Sequence, residues 1–322
     1  MRRHGSGCCG RRTGSHDCGW FAPALVTTEI VLTLLACRGI PSWAFVLDPR
    51  HPAGEVLSHP GRGYPERVFP SLIGRPVRVA LVVLLLVAVG AGIWLWQRAG
   101  ESTPVSEDSA LQAYREAGGA AASPGVPASG VYSFRQEGSE RGGVGPAHLS
   151  RDLPEVARYV VTAAPDGYRE ELDISKEHIE AVTLRVGPKG SREVARRTKV
   201  TFLGFGQDDR RDLEPPPLRL PAKLAVGRAW SGSYRAGDLP VTFRSRVERA
   251  DALEVDGRRY KVWVVRSDSD TGGVHPGTRT DVWWWSPRLA LPLRWTIDMR
   301  IGGPATLRTR ADLVLLSAIP KV

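Results

Sequence analysis

Residues 293–316 read LRWTIDMRIGGPATLRTRADLVLL. Leu293, Trp295, Ile297 and Met299 alternate with Arg294, Thr296, Asp298 and Arg300. Beyond Gly302-Gly303, Ala305, Leu307, Ala311, Leu313 and Leu315 alternate with Thr306, Arg308, Arg310 and Asp312. Successive side chains of a strand point to opposite faces, so this text describes an antiparallel hairpin with one buried face and one wet face.

Just upstream, residues 280–285 read TDVWWW. On a strand Trp283 and Trp285 share a face, and Trp284 joins Val282 and Thr280 on the other. Arg279 and Asp281 fall in phase with Trp283, which makes the Trp284 side the expected core face. Period-two text continues back to residue 131, with strands expected at 131–137, 158–163, 168–174, 179–186, 193–205, 229–234, 241–250, 260–267, 277–285, 293–301 and 305–316. Pro165-Asp166-Gly167, Gly187-Pro188-Lys189-Gly190, Asp256-Gly257 and Gly302-Gly303 supply the turns, while the acidic, proline-rich GQDDRRDLEPPPLRLP at 206–221 interrupts the sheet. The expected fold is mainly β: a twisted antiparallel sheet of about eleven strands that curls into a half-barrel or open barrel, preceded by one transmembrane helix.

That helix is VALVVLLLVAVGAGIWLW at 79–96, 18 residues without a charge, about 27 Å long at 1.5 Å per residue. Arg62, Arg67, Arg75 and Arg78 precede it, whereas Glu101, Glu107 and Asp108 follow Arg98, so the N-terminus stays inside. The chain then divides into a basic, largely disordered cytoplasmic region at 1–78 whose first 67 residues are an uncertain start, the span at 79–96, a Pro/Gly/Ala/Ser tether at 97–129 with a short helix at 109–117, and an exterior β domain at 130–322. A weaker apolar stretch at 21–37 contains Pro23 and Glu29; its end, Leu34-Leu35-Ala36-Cys37, has the outline of a lipidation box.

The 322 residues carry a net charge of +10. Residues 1–98 hold 11 arginines against 5 acidic residues; from 99 onward the charges interleave, and no zinc, helix-turn-helix or RNP pattern accompanies them, which argues against a nucleic-acid partner. All four cysteines, Cys8, Cys9, Cys18 and Cys37, lie before residue 38, so the exterior domain holds no disulfide. Neither their spacing nor the SDSDTGG loop around Asp268 and Asp270 matches a metal site. His148, His178 and His275 lie in separate loops or at strand edges and accompany no nucleophile motif, so no catalytic residue, metal or cofactor is expected.

The blocks Val226-Gly227-Arg228-Ala229-Trp230, Glu254-Val255-Asp256-Gly257-Arg258-Arg259-Tyr260-Lys261-Val262, Trp284-Trp285-Ser286-Pro287 and Leu291-Pro292-Leu293-Arg294 occur in the order found in exported bacterial lipoprotein carriers of the LolA and LppX type. Residues 224–316 resemble that family. The resemblance implies a half-barrel whose concave face holds an acyl chain or an envelope partner. Trp230, Trp263, Trp283, Trp284, Trp285 and Trp295 are the candidate lining of a cavity for an apolar ligand. The alternative is a large sheet that uses the same residues as plain core, in a structural interaction domain of the envelope.

Overall fold

The computed structural model describes residues 75–99, 101–118, 125–144, 147–202 and 205–322. The expectations for the basic N-terminal region, its cysteines, lipidation at Cys37 and the apolar stretch at 21–37 lie outside the described residues. Among the described residues two helices, α1 (Arg75–Ala99) and α2 (Glu107–Glu116), precede fourteen strands. The strands are β1 (Gly130–Val144), β2 (Ala147–Asp152), β3 (Val156–Ala164), β4 (Gly167–Ser175), β5 (His178–Gly187), β6 (Gly190–Phe202), β7 (Phe205–Glu214), β8 (Leu218–Pro221), β9 (Ala229–Ala236), β10 (Leu239–Val255), β11 (Arg258–Thr271), β12 (Gly277–Ser286), β13 (Leu291–Ile301) and β14 (Ala305–Leu315).

The sheet closes on itself, so the expectation of a half-barrel or open barrel is corrected. Twelve antiparallel strands form the ring, in the order β1, β3 to β7, β9 to β14, and β14 pairs back onto β1; β2 and β8 extend the sheet by pairing with β1 and β6. Closure depends on the length of β1. Its first half, Gly130 to Arg135, pairs with β3, and its second half, Phe134 to Val144, pairs with β14 in an unbroken register from Phe134↔Leu315 to Val144↔Ala305. Only 131–137 reads as a strand, because the second half contains three glycines. Gly138 is required there: its φ is +150°, and a Cβ would lie 2.0 Å from the Arg310 carbonyl oxygen of the neighbouring strand. The thinnest junction in the ring is β7 to β9, where only Leu213↔Ala236 and Glu214↔Arg235 pair.

The acidic stretch expected to interrupt the sheet instead forms β7 and β8. Charged cross-strand partners replace apolar burial on β7: Arg197 on β6 donates from Nε and Nη2 to both Asp208 oxygens, each at 2.7 Å. Asp256 and Gly257 have φ of 52° and 68° and make the tight β10–β11 turn that the sequence signals.

The alternation of the last two strands is present in the structure. Leu293, Trp295, Ile297, Met299, Ala311, Leu313 and Leu315 are all buried, together with Tyr132 and Phe134 of the adjoining β1 and Tyr159, Leu172 and Leu184 of β3 to β5. Helix α2 begins at Ser106, whose Oγ accepts the Ser109 N–H, and it seats Ala110 against Val131 and Val160. The Lys176 N–H donates to the Thr103 carbonyl at 2.9 Å, Ser102 Oγ bonds the Asp152 carbonyl, and Lys321 pairs with Glu107 at 2.6 Å. Residues 102–116 are therefore fastened to the barrel rather than forming a free spacer.

Helix α1 presents its large apolar side chains outward, with Leu84 at 68% and Val87 at 65% exposure. Among the described residues no helix is long and apolar enough to cross a membrane by itself.

Candidate functional site

The inward phase of the strands carries charge as well as hydrocarbon. Glu140 on β1 is fully buried. It accepts from Arg151 Nε at 2.9 Å and Nη2 at 2.5 Å, from Thr309 Oγ1 at 3.0 Å, and shares a 2.5 Å hydrogen bond with His178 Nδ1. The other ring nitrogen of His178 lies 3.3 Å from Glu180 Oε1. Glu180 in turn takes Arg279 Nη1 from the opposite wall at 2.6 and 2.8 Å. Arg279 also holds Asp281 at 2.7 and 3.0 Å, and Asp281 accepts Trp295 Nε1 at 2.9 Å. The chain of bonds thus crosses the barrel from β2 through β1, β5 and β12 to β13.

A second chain starts at Arg196 and runs through Glu193 (2.8 Å), Arg219 (2.9 Å) and Glu170 (2.6 Å) to Tyr159 Oη (2.5 Å). The Arg219 guanidinium lies 5.0 Å from the Trp283 ring and 6.0 Å from the Trp295 ring, so these tryptophans cover a cation. Five carboxylates, Glu140, Glu170, Glu180, Glu193 and Asp281, face four arginines and one imidazole. The formal charge of this set closes to zero when His178 is protonated.

Burial alone would pull the His178 imidazolium down. The hydrogen bonds and charges of Glu140 and Glu180 outweigh it and raise its pKa to about 9. Burial pushes the Glu140 carboxyl up, yet His178 and Arg151 bring it down to about 2. Glu140 and His178 are therefore ionised together at neutral pH. A carboxylate already holding several donors is a poor general base and a poor cation ligand. Among the described residues no group of three or more His, Cys, Asp or Glu could hold a metal ion.

A cavity of about 60 Å³ lies between Glu180, Arg196, Tyr234, Arg279, Trp283 and Trp295. Trp283 Nε1 and Arg196 Nε border it without an acceptor. The volume suits a few water molecules.

The six candidate tryptophans separate. Trp283, Trp285 and Trp295 are buried core, and Trp283 and Trp295 alone among the six border the cavity. Trp230 and Trp263 are half-buried at the edge of the core, Trp230 donating Nε1 to the Leu218 carbonyl at 3.1 Å. Trp284 does not lie on the core face as expected. It is on the outer side, half-buried beneath the guanidinium groups of Arg294 at 4.9 Å and Arg249 at 5.9 Å. The expectation failed because it took Arg279 and Asp281 as marks of a wet face, whereas Asp281 is buried, Arg279 is largely covered, and the two are paired. His178, expected in a loop or at a strand edge, is fully buried in the same network. The signal that finds these residues is phase: His178, Glu180, Val182 and Leu184 share one alternation, as do Arg279, Asp281, Trp283 and Trp285.

A second concavity, an open cleft of about 600 Å³, is lined by Arg141, His148, Asp270, Thr278, Arg300 and Arg308 among others.

No family model and no curated protein matches the chain. Among solved structures it is similar to the hypothetical lipoprotein YmcC from Escherichia coli (K12), at 9% identity and a TM-score of 0.29, over 64% of this chain and 98% of that one. A likeness at that level carries nothing about function, and the lipoprotein-carrier resemblance has no matching family model beside it.

Proposed function

We propose that the chain is a membrane-tethered β-barrel on the exterior of the cell envelope, an interaction domain that meets its partner with its outer surface rather than carrying a lipid inside. The buried ion-pair network that crosses the interior, with a small cavity at its centre, is the observation that carries this reading. Pockets for small apolar ligands span roughly 300–1,000 Å³, whereas the cavity beside Trp283 and Trp295 measures about 60 Å³ and is bounded by paired charges. An acyl chain placed there would separate buried ions from their partners, which is strongly unfavourable. The tether is supported by the exposed apolar side chains of α1, by the arginines that precede it, and by the anchorage of residues 102–116 on the barrel.

Two measurements on the full chain test the two halves. In cells, alkaline carbonate should leave the chain in the membrane and external protease should reach residues beyond 99; release by carbonate would overturn the tether. Native mass spectrometry of the detergent-purified chain should give the polypeptide mass alone. A retained one-to-one acyl lipid would restore the carrier reading.

A further inference from the structure

The open cleft has an unusual floor. Arg141 on β1 is directly opposite Arg308 on β14, Arg308 is directly opposite Arg300 on β13, and the row continues through Thr278 on β12 to Asp270 on β11. Directly opposed residues point to the same face with Cβ atoms about 5 Å apart, so three arginines form one transverse line about 10 Å long. The line is on the outer wall, because its strand neighbours Glu140, Thr309 and Met299 face the buried interior. Like charges directly opposed across strands destabilise a sheet, and little here offsets them. Asp298 lies 3.1 Å from Arg308 but also serves Arg310 at 3.3 Å, and Arg308 Nε is buried without an acceptor. Arg141 and Arg300 form no ion pair among the described residues.

We propose that this cleft binds a phosphate-bearing anion, with the membrane surface as its source. Guanidinium groups pair with phosphate through two parallel N–H···O bonds, and a line of three accepts a phosphate between each neighbouring pair. His148 on β2 adds a fourth donor at the cleft wall. The source follows from the chain path: α1 meets the barrel at β2, and Ser102, just beyond α1, is fastened to β2 at Asp152. This choice of source rests on the tether proposed above; the anion site itself does not.

Isothermal titration of the detergent-solubilised full chain, in phosphate-free buffer at constant ionic strength, tests both parts. Inorganic phosphate and dihexanoyl phosphatidate are the probes, with dihexanoyl glycerol as the uncharged control. Both anions should bind saturably, phosphatidate at least tenfold more tightly, and the glycerol should not bind. Replacing Arg141 and Arg300 together by Gln should weaken both anions by about tenfold per arginine, while the unliganded variant melts no lower than the parent because the opposed charges are gone. Absence of saturable binding by either anion, or equal affinity in parent and variant, overturns the site. Equal affinity for phosphate and phosphatidate overturns the membrane as source and leaves a free-phosphate site. If carbonate releases the chain while both anions still bind, the tether fails and the site stands.

Discussion

Glu140→Gln separates a lumen held by charge from one held by packing alone. Glutamine keeps the shape of the side chain and one carbonyl acceptor, so cavity formation contributes little. What disappears is the negative charge that Arg151, at 2.5 and 2.9 Å, and His178, at 2.5 Å, share in a site with no solvent exposure. Removing one partner of a buried ion pair costs about 3–5 kcal/mol, a large part of the roughly 5–15 kcal/mol that a domain has in total. Urea unfolding of the detergent-solubilised chain, followed by far-UV circular dichroism at pH 7, should show that loss with an unchanged m-value. The pH dependence carries the sign. His178 is held at about 9 in the folded state, above an ordinary value of about 6.5, so the folded protein binds a proton that the unfolded chain releases. The contribution is complete below about pH 6.5 and is lost as pH rises through about 9, an amount of about 3 kcal/mol. In Glu140→Gln one of the two carboxylates that raise His178 is gone, so the fall in stability between pH 7 and 9 should be shallower. A loss below about 1 kcal/mol, or identical pH slopes in the two proteins, would refute the charge-held lumen.

The tryptophan run gives a second comparison: Trp283→Ala should cost about 3–5 kcal/mol, and Trp284→Ala, on the outer wall under two arginines, about 1 kcal/mol or less; equal shifts in urea midpoint would contradict the two-face assignment. Hydrogen exchange should find the fastest-opening ring junction at β7–β9, where two residue pairs join the strands, and slow exchange along β13–β14; uniform protection around the ring would count against this. Finally, replacing Glu140, Arg151 and His178 together by Leu should leave the urea midpoint near or above the parent value, because apolar replacements of buried ion groups are often neutral or stabilising. Amides of β1 and β14 should nevertheless exchange faster. Full protection there would mean that the charges do not set the pairing.

Strand text was legible wherever one face is apolar. The hairpin from Leu293 to Leu315 reads directly because every inward residue except Thr309 is hydrocarbon. The same rule misread β12, since a strand lining a charged lumen puts Arg279 and Asp281 in phase with Trp283, and only Glu180, the partner of Arg279 from 99 positions away, shows why. β7 was missed because its cover is ionic, with Arg197 on Asp208, and turn chemistry dominates residues 215–217. Barrel closure was not legible from the glycine-rich end of β1. A glycine that admits the carbonyl of Arg310 and one that marks a loop are the same letter, and the register that distinguishes them pairs Gly138 with Ala311, 173 positions away.

That closure gives the buried charges a purpose beyond stability. Buried ion networks are weak evidence for stability, and their better-supported role is to fix register. Glu140 lies on the half of β1 that closes the ring and is directly paired with Thr309 of β14 on one side and Arg151 of β2 on the other, with His178 reaching it from across the lumen. A slip of one residue would reverse the two faces of β1. Glu140 would turn outward, and Arg141 would enter beside Arg151 and His178, placing three buried cations where one carboxylate had balanced two. The apolar positions give less discrimination at this end, because Gly138, Gly142 and Gly143 have no side chains to mark a face. Where hydrocarbon cannot specify which residue faces inward, charge does, and the same register that buries Glu140 turns Arg141 outward to join Arg308 and Arg300 in the cleft.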